Sequence, residues 1–304
     1  MAKFRFLVSL ITKDNDYQRE QAASTKTASS EFGVDVEIVY AENDAITQST
    51  QLLKAIQAEP SLRPNAIIVE PLGATPFPKV ASAAVSVGIG WAVINREPDY
   101  NPQLRQTFSS PVFSVSSDQV EIGRIQAKQI TALLPHGGTI LYIQGPSVSS
   151  VSQQRFEGLR EILQSGFQLV NLKGKWTEES AYVSVSSWMK LMRAQRTRID
   201  LICGQNDVMA IGAKKAVKEF ASERDRDFLS KIPVIGCDGV PATGQAWVRT
   251  GDLLATVVVP PSCGKAIGLM TRALQSKTQP PEHTYTLSEP FPPLEMMKPF
   301  RAPV

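Results

Sequence analysis

Amide, carboxylate and arginine side chains recur directly after short apolar runs along this 304-residue chain, and two aromatics join them. After the first run stand Asn15, Asp16 and Tyr17, after the third Glu70, and after the fourth Asn95 and Arg96. The second half repeats the pattern with Gln153, Trp176, the pair Asn206 and Asp207, and Asp238. Planar amides, carboxylates and guanidinium groups donate and accept in pairs to neighbouring hydroxyls, and an aromatic face covers the C–H face of a sugar ring. The chemistry open to this set is recognition of a small polar molecule. Each residue alone has a plainer use: Asp207 as the first-turn charge of a helix, Asp238 and Asn95 as turn residues. Their shared position at the ends of apolar runs makes them a candidate site.

Other chemistries find little support. There is no Walker-type phosphate loop, and Gly88-Ile89-Gly90 precedes an apolar run instead of following one, as a helix end and turn. The two histidines, His136 and His283, stand near Gly or Pro and read as solvated loop residues, too few for a zinc site or a serine triad. Cys237, in Gly236-Cys-Asp-Gly239, has no candidate base nearby in sequence. Neither enzyme activity, nor a cofactor, nor a metal is expected. Cys203 and Cys237 each end an apolar run and read as small buried hydrophobes.

The formal net charge is +3, with the densest basic cluster at Arg193-Ala-Gln-Arg196-Thr-Arg198. No aromatics are interleaved there, so it reads as a solvated helix end, not a nucleic-acid footprint. No apolar run approaches the ~18 residues that span a bilayer. The start, Met1-Ala-Lys-Phe-Arg-Phe, reads as a first strand, not a signal peptide. As written the chain is expected in the cytoplasm, and in the periplasm if a leader precedes Met1.

The elements that must position these residues follow one rhythm. Apolar runs at 4–10, 34–40, 66–70, 91–95, 139–144, 168–172, 200–204, 233–237 and 254–259 read as strands. Runs such as Ala66-Ile-Ile-Val69 are apolar at consecutive positions, which means burial on both faces and a parallel sheet covered by helices. The intervening segments 18–32, 44–58, 76–87, 118–133, 153–164, 177–192, 207–221 and 262–276 have helical length and patterning. Alternation over this length predicts a doubly wound α/β fold, with ligands beyond the C-terminal ends of the strands. Two sheets of four to six strands are expected in preference to one of nine. Pro98, Pro102, Pro111 and a Ser-rich stretch break the rhythm at 98–118, which predicts a boundary there. From Gln279 onward Pro280, Pro281, Pro290, Pro292, Pro293 and Pro299 exclude a long helix and predict extended chain crossing back.

Several motifs carry a family likeness: Gly204-Gln-Asn-Asp-Val-Met-Ala-Ile-Gly-Ala213, Val234-Ile-Gly-Cys-Asp-Gly239 and Val93-Ile-Asn-Arg-Glu-Pro98. Ser117-Asp118 with Gly123, Arg155-Phe-Glu-Gly158 and Gly251-Asp-Leu-Leu-Ala-Thr256 add to it. Over essentially its full length the chain resembles type I periplasmic sugar-binding proteins, the ribose and glucose/galactose receptors, and the related ligand domains of lactose-repressor-type regulators. The resemblance implies two parallel-sheet lobes, 1–117 with 260–286 and 118–259 with 287–304, joined by three crossing segments. It implies a ligand gripped in the interlobe cleft by hinge closure. Asn206 and Asp238 match sugar-hydroxyl ligands, Asn95 and Arg96 the fourth-strand pair, and Tyr17 and Trp176 the two ring-sandwiching aromatics. Arg96 is expected to hold Asp238 in place.

Three positions depart from the family pattern. Gln153 stands near the place of an arginine, with Arg155 on a more structural position; Val259 replaces a hinge-side amide; Glu70 stands where an amide is common. A hexose is the first expectation, with a polyol, a modified sugar or a cationic ligand as alternatives, and no calcium loop matches. The implied partners are the sugar or polyol and an ABC permease or membrane sensor, with the chain a monomer. The alternative is the effector portion of a repressor-type regulator. That class has a helix-turn-helix of about sixty residues before a first strand that here begins by Phe4, so no direct DNA binding is expected.

Overall fold

The computed structural model describes residues 3–72, 77–163, 165–192, 198–220, 226–229 and 231–300. The chain forms two compact units, Met1–Ser117 with Pro261–Thr286 and Asp118–Pro260 with Leu287–Val304.

The first unit alternates β1 (Arg5–Leu10), α1 (Asp16–Phe32), β2 (Asp35–Tyr40), α2 (Ala45–Gln57), β3 (Ala66–Val69), α3 (Pro78–Ser86), β4 (Gly90–Ile94), α4 (Asn101–Thr107) and β5 (Val112–Ser117). The second contains α5 (Gln119–Leu133), β6 (Gly138–Gln144), α6 (Ser150–Ile162), β7 (Phe167–Lys173), α7 (Glu178–Met192), β8 (Leu201–Gly204), α8 (Asp207–Phe220), α9 (Arg226–Leu229), β9 (Val234–Ile235), α10 (Gly244–Thr250) and β10 (Thr256–Val258). The chain then adds α11 (Cys263–Ser276) and β11 (His283–Thr286) to the first unit, and β12 (Glu289–Phe291) with a short 3-10 turn at Leu294–Met296 to the second.

The first sheet has six parallel strands in the order β11-β5-β4-β3-β1-β2. The second has four in the order β7-β6-β8-β9, with an antiparallel β10-β12 pair beside them. Consecutive side chains of a strand enter opposite cores, as the unbroken apolar runs require. In β3, Ala66 and Ile68 join Phe6, Val8 and the inner face of α11, while Ile67 and Val69 join Trp91, Leu52 and α3. In β6, Leu141 and Ile143 pack with α7 and α8, while Ile140 and Tyr142 pack with α5 and Leu159 of α6.

The two units divide at Ser117–Asp118, at the end of the segment 98–118, but the alternation runs on to that point. The segment holds α4 and a fully buried strand, β5, between β4 and β11, neither of which the sequence reading gave. Ser114, Ser116 and Ser117 are buried because their hydroxyls are satisfied: Ser117 Oγ lies 2.7 Å from Thr286 Oγ1, and Ser116 Oγ donates to the Ser117 carbonyl at 3.1 Å. The proline-rich tail is extended as expected, but it supplies two strands. His283 lies in β11, 20% exposed, and is not a solvated loop residue; His136 is exposed in a turn. The three cysteines are buried free thiols, and burial pushes Cys263 up to about 12. Of the basic cluster, 193–197 lies outside the described residues; Arg198 is exposed and pairs with Asp200 at 2.6 Å.

Candidate binding site

In the first unit the ends of β1, β3 and β4 carry the expected residues. The helix starts earlier than its apolar pattern indicates, because Asn15 is its N-cap: Oδ1 accepts from the Gln18 backbone N–H at 3.2 Å. Asp16 Oδ1 accepts from the Tyr17 N–H at 2.9 Å. Tyr17 is buried on the first turn, its hydroxyl accepting from Gln21 Nε2 at 3.4 Å.

Glu70 is 2% exposed and lies between two amides. Gln18 Nε2 donates to Oε2 at 2.9 Å and Asn95 Nδ2 to Oε1 at 3.0 Å, so both oxygens are engaged from within the unit. Asn95 has left-handed backbone at φ 59°, and its N–H donates to the Val115 carbonyl at 2.9 Å. Arg96 folds back, Nη1 donating to the Asn95 carbonyl at 2.7 Å. The carboxylate that departs from the family pattern is thus a post that aims Asn95.

Burial pushes the Glu70 carboxyl up, against the hydrogen bond from Asn95, the charge of Arg96 and the hydrogen bond from Gln18. A folded-state value above the unfolded one, ~4.3, means the native state holds this proton more tightly. The resulting stabilisation is complete below pH ~4.3 and is lost as pH rises through the raised folded value. Glu70→Gln is expected to remove this component from melting temperatures measured between pH 4 and 8. Parallel curves for variant and wild type would refute the assignment.

In the second unit three expected residues meet around one that the sequence reading set aside. Arg155 is 4% exposed on the inner face of α6, in a stripe with Val151, Ser152, Gly158 and Leu159. Its Nε donates to Gln119 Oε1 at 2.9 Å and its Nη1 to the Gln205 carbonyl at 2.5 Å. Nη1 also stands 3.5 Å from Asp238 Oδ1, and Cζ lies 6.0 Å from the centre of the Trp176 ring. The guanidinium beside Asp238 within its unit is therefore that of Arg155; Arg96 belongs to the other unit. Gln153, two residues earlier, is exposed and donates to the Ser147 carbonyl at 2.7 Å.

Asn206 ties the rest together, Oδ1 accepting from the Met209 N–H at 2.9 Å and Nδ2 donating to the Trp176 carbonyl at 3.1 Å. The indole lies so close against Gly145 that a Cβ there would overlap the ring. Trp176 at φ 65° and Asp238 at φ 98° share the left-handed backbone of Asn95. Such strain costs about 1–3 kcal/mol per residue and persists where the surroundings over-determine it. Asp207 is a buried carboxylate: Oδ2 accepts from the Gly239 N–H at 2.8 Å and Oδ1 from Thr256 Oγ1 at 2.7 Å. It pins the loop that carries Asp238, which is a structural role. Val259 is buried, and its N–H donates to the Asp238 carbonyl at 3.0 Å.

A family model described as a periplasmic binding protein domain matches residues 6–277. The chain belongs to this periplasmic binding protein family. Among curated relatives, a xylitol-binding protein of Mycolicibacterium smegmatis is 28% identical over 73% of this chain and 58% of its own length. A D-ribose/D-allose-binding protein of Pseudomonas aeruginosa is 25% identical over 72% of this chain and 65% of its own. The chain thus spans about three-fifths of the length of these relatives. A crystal structure of a galactofuranose-binding protein superposes with a TM-score of 0.82 at 20% identity, covering 97% of this chain and 98% of that one, a likeness of fold.

Within this periplasmic binding protein, the sequence reading gave Arg155 a structural position but not its partners, although a signal for them was present. An arginine in an otherwise small and apolar helix stripe is committed to burial, and a buried arginine needs acceptors and a carboxylate. Gln18 and Gln119, which aim Glu70 and Arg155, carried no comparable signal.

Proposed function

We propose that this chain binds a small sugar or polyol and leaves it chemically unchanged. The observation that carries the reading is the group around Arg155: a guanidinium, the carboxylate of Asp238, the amide of Asn206 and the Trp176 ring, set together at strand ends of one unit. Asn95 and Arg96 supply an amide and a guanidinium in the other unit. Asp238 and Glu70 each have a guanidinium nearby, which favours a neutral polyhydroxylated ligand over a charged one. The names of the xylitol and D-ribose/D-allose relatives support the same class.

In this reading the two units are the lobes, ligand groups come from both, and binding favours a closed arrangement. The loaded monomer serves an ABC permease or a membrane sensor, in the periplasm if an in-frame leader precedes Met1, and it contacts no nucleic acid directly.

Thermal denaturation with xylitol, D-ribose, D-allose and myo-inositol tests the reading. A ligand at 100 times its dissociation constant should stabilise the protein by ~2.7 kcal/mol. Trp176→Ala should weaken the ligand found by about 1–3 kcal/mol, the cost of a lost aromatic anchor. Small-angle scattering at saturation should show a smaller radius of gyration. No shift with any polyol at millimolar concentration would sink the proposal, and an unchanged radius would sink the closure.

A further inference from the structure

Asn95 and Arg96 occupy a turn whose left-handed backbone must be held in place. Glu70 fixes it from the preceding side, through Asn95 Nδ2. On the following side Glu97 Oε1 accepts from the Tyr285 hydroxyl at 3.0 Å and lies 3.6 Å from His283 Nε2. Both partners belong to β11. His283 is set in turn by Ser114 Oγ, 2.8 Å from Nδ1, and by the Tyr285 ring, with centroids 4.1 Å apart.

This serine, histidine and glutamate have the contacts of a triad but not its access. Ser114 is 2% exposed in the middle of β5, so no substrate carbonyl reaches its hydroxyl. Positioning is the use the geometry leaves. We infer that Glu97 is a positioning residue: by tying the Asn95–Arg96 turn to Tyr285 and His283 on β11, it fixes the direction in which Asn95 and Arg96 are presented.

The side chain of Glu97 is 44% exposed, and exposed contacts of this kind add little to global stability. Tyr285 is 55% exposed on an edge strand, so core packing does not account for it. A tie of this sort acts on the local opening of a turn more than on unfolding of the whole unit. Its consequence for affinity rests on the proposed role of Asn95 and Arg96; its consequence for the turn does not.

Hydrogen exchange tests the tie without any ligand. Glu97→Ala and Tyr285→Phe should each speed exchange of the Asn95 amide about tenfold, the loss of roughly one hydrogen bond, with an almost unchanged melting temperature. Glu97→Gln keeps an acceptor for the Tyr285 hydroxyl and should exchange like wild type. Unchanged exchange in Glu97→Ala, or Glu97→Gln as fast as Glu97→Ala, would overturn the inference. Titration with xylitol and D-ribose adds a second arm, in which Glu97→Ala should raise the dissociation constant about tenfold. If wild type binds neither probe, that arm weighs against the functional reading and the exchange result decides the tie. If wild type binds and Glu97→Ala binds equally, the role of Glu97 falls and the functional reading stands.

Discussion

Arg155→Met is expected to destabilise the second unit by about 3–5 kcal/mol, the usual cost of removing one partner from a buried ion pair. Methionine keeps the apolar stem of the side chain, so most of the loss reports the guanidinium. Without it, Asp238 loses its nearby cation, and Gln119 Oε1 and the Gln205 carbonyl lose a donor. Arg155→Lys keeps the charge but not the fork that reaches these groups at once, so it should fall between wild type and the methionine variant. Adding Asp238→Ala to Arg155→Met should recover part of the loss, since the buried charge goes with it. Urea unfolding of wild type, Arg155→Met, Asp238→Ala and the double variant measures the coupling. A value under ~0.5 kcal/mol would mean that the 3.5 Å approach is incidental.

Gly158→Ala should be comparably damaging, by roughly 3 kcal/mol, although it adds one methyl group. Helices α5 and α6 cross at two glycines. A Cβ on Gly158 would overlap the Val120 carbonyl, and one on Gly123 would overlap the carbonyl of Arg155. Both obstacles are backbone, so relief requires the helices to separate, which moves Arg155 away from Asp238 and Trp176. Calorimetry should show the lower melting temperature, and Trp176 fluorescence should change with it. A variant with wild-type stability would refute the close crossing.

These two cases show what the amino-acid sequence makes legible. The glycines stand in motifs that resemble a known family, but only the helix crossing gives their physical reason. Strands such as Ala66–Val69 were readable because burial on both faces leaves an unbroken apolar run. Strand β5 was not, because three of its six residues are serines whose burial depends on partners from β11 and from the backbone, far away in sequence or invisible in it. Asn206, Asp238 and Trp176 were readable as a set from their places after strands, and the structure groups them. Gln153 and Arg155 are neighbours in the chain but point to different sides of α6, so an assignment two residues off replaces a buried cation with a solvated amide. Periodicity separates the buried position from the exposed one; motif matching alone did not.

The place of α11 and β11 in the first unit has a consequence for how the protein is made. Cys263, Ala266, Ile267 and Met270 of α11 complete the core over Phe6, Val8, Ile68 and Ala92, and β11 covers the edge of β5. All are synthesised after the whole of the second unit's main sheet. On the ribosome the first 117 residues therefore wait with one apolar face and one strand edge bare until Thr286 is added. At ~5–20 residues per second that wait is on the order of ten to thirty seconds, far longer than local strands and helices take to form. The unit translated first thus stays incomplete until almost the whole chain has been made, and a nascent-chain chaperone has that interval in which to hold it.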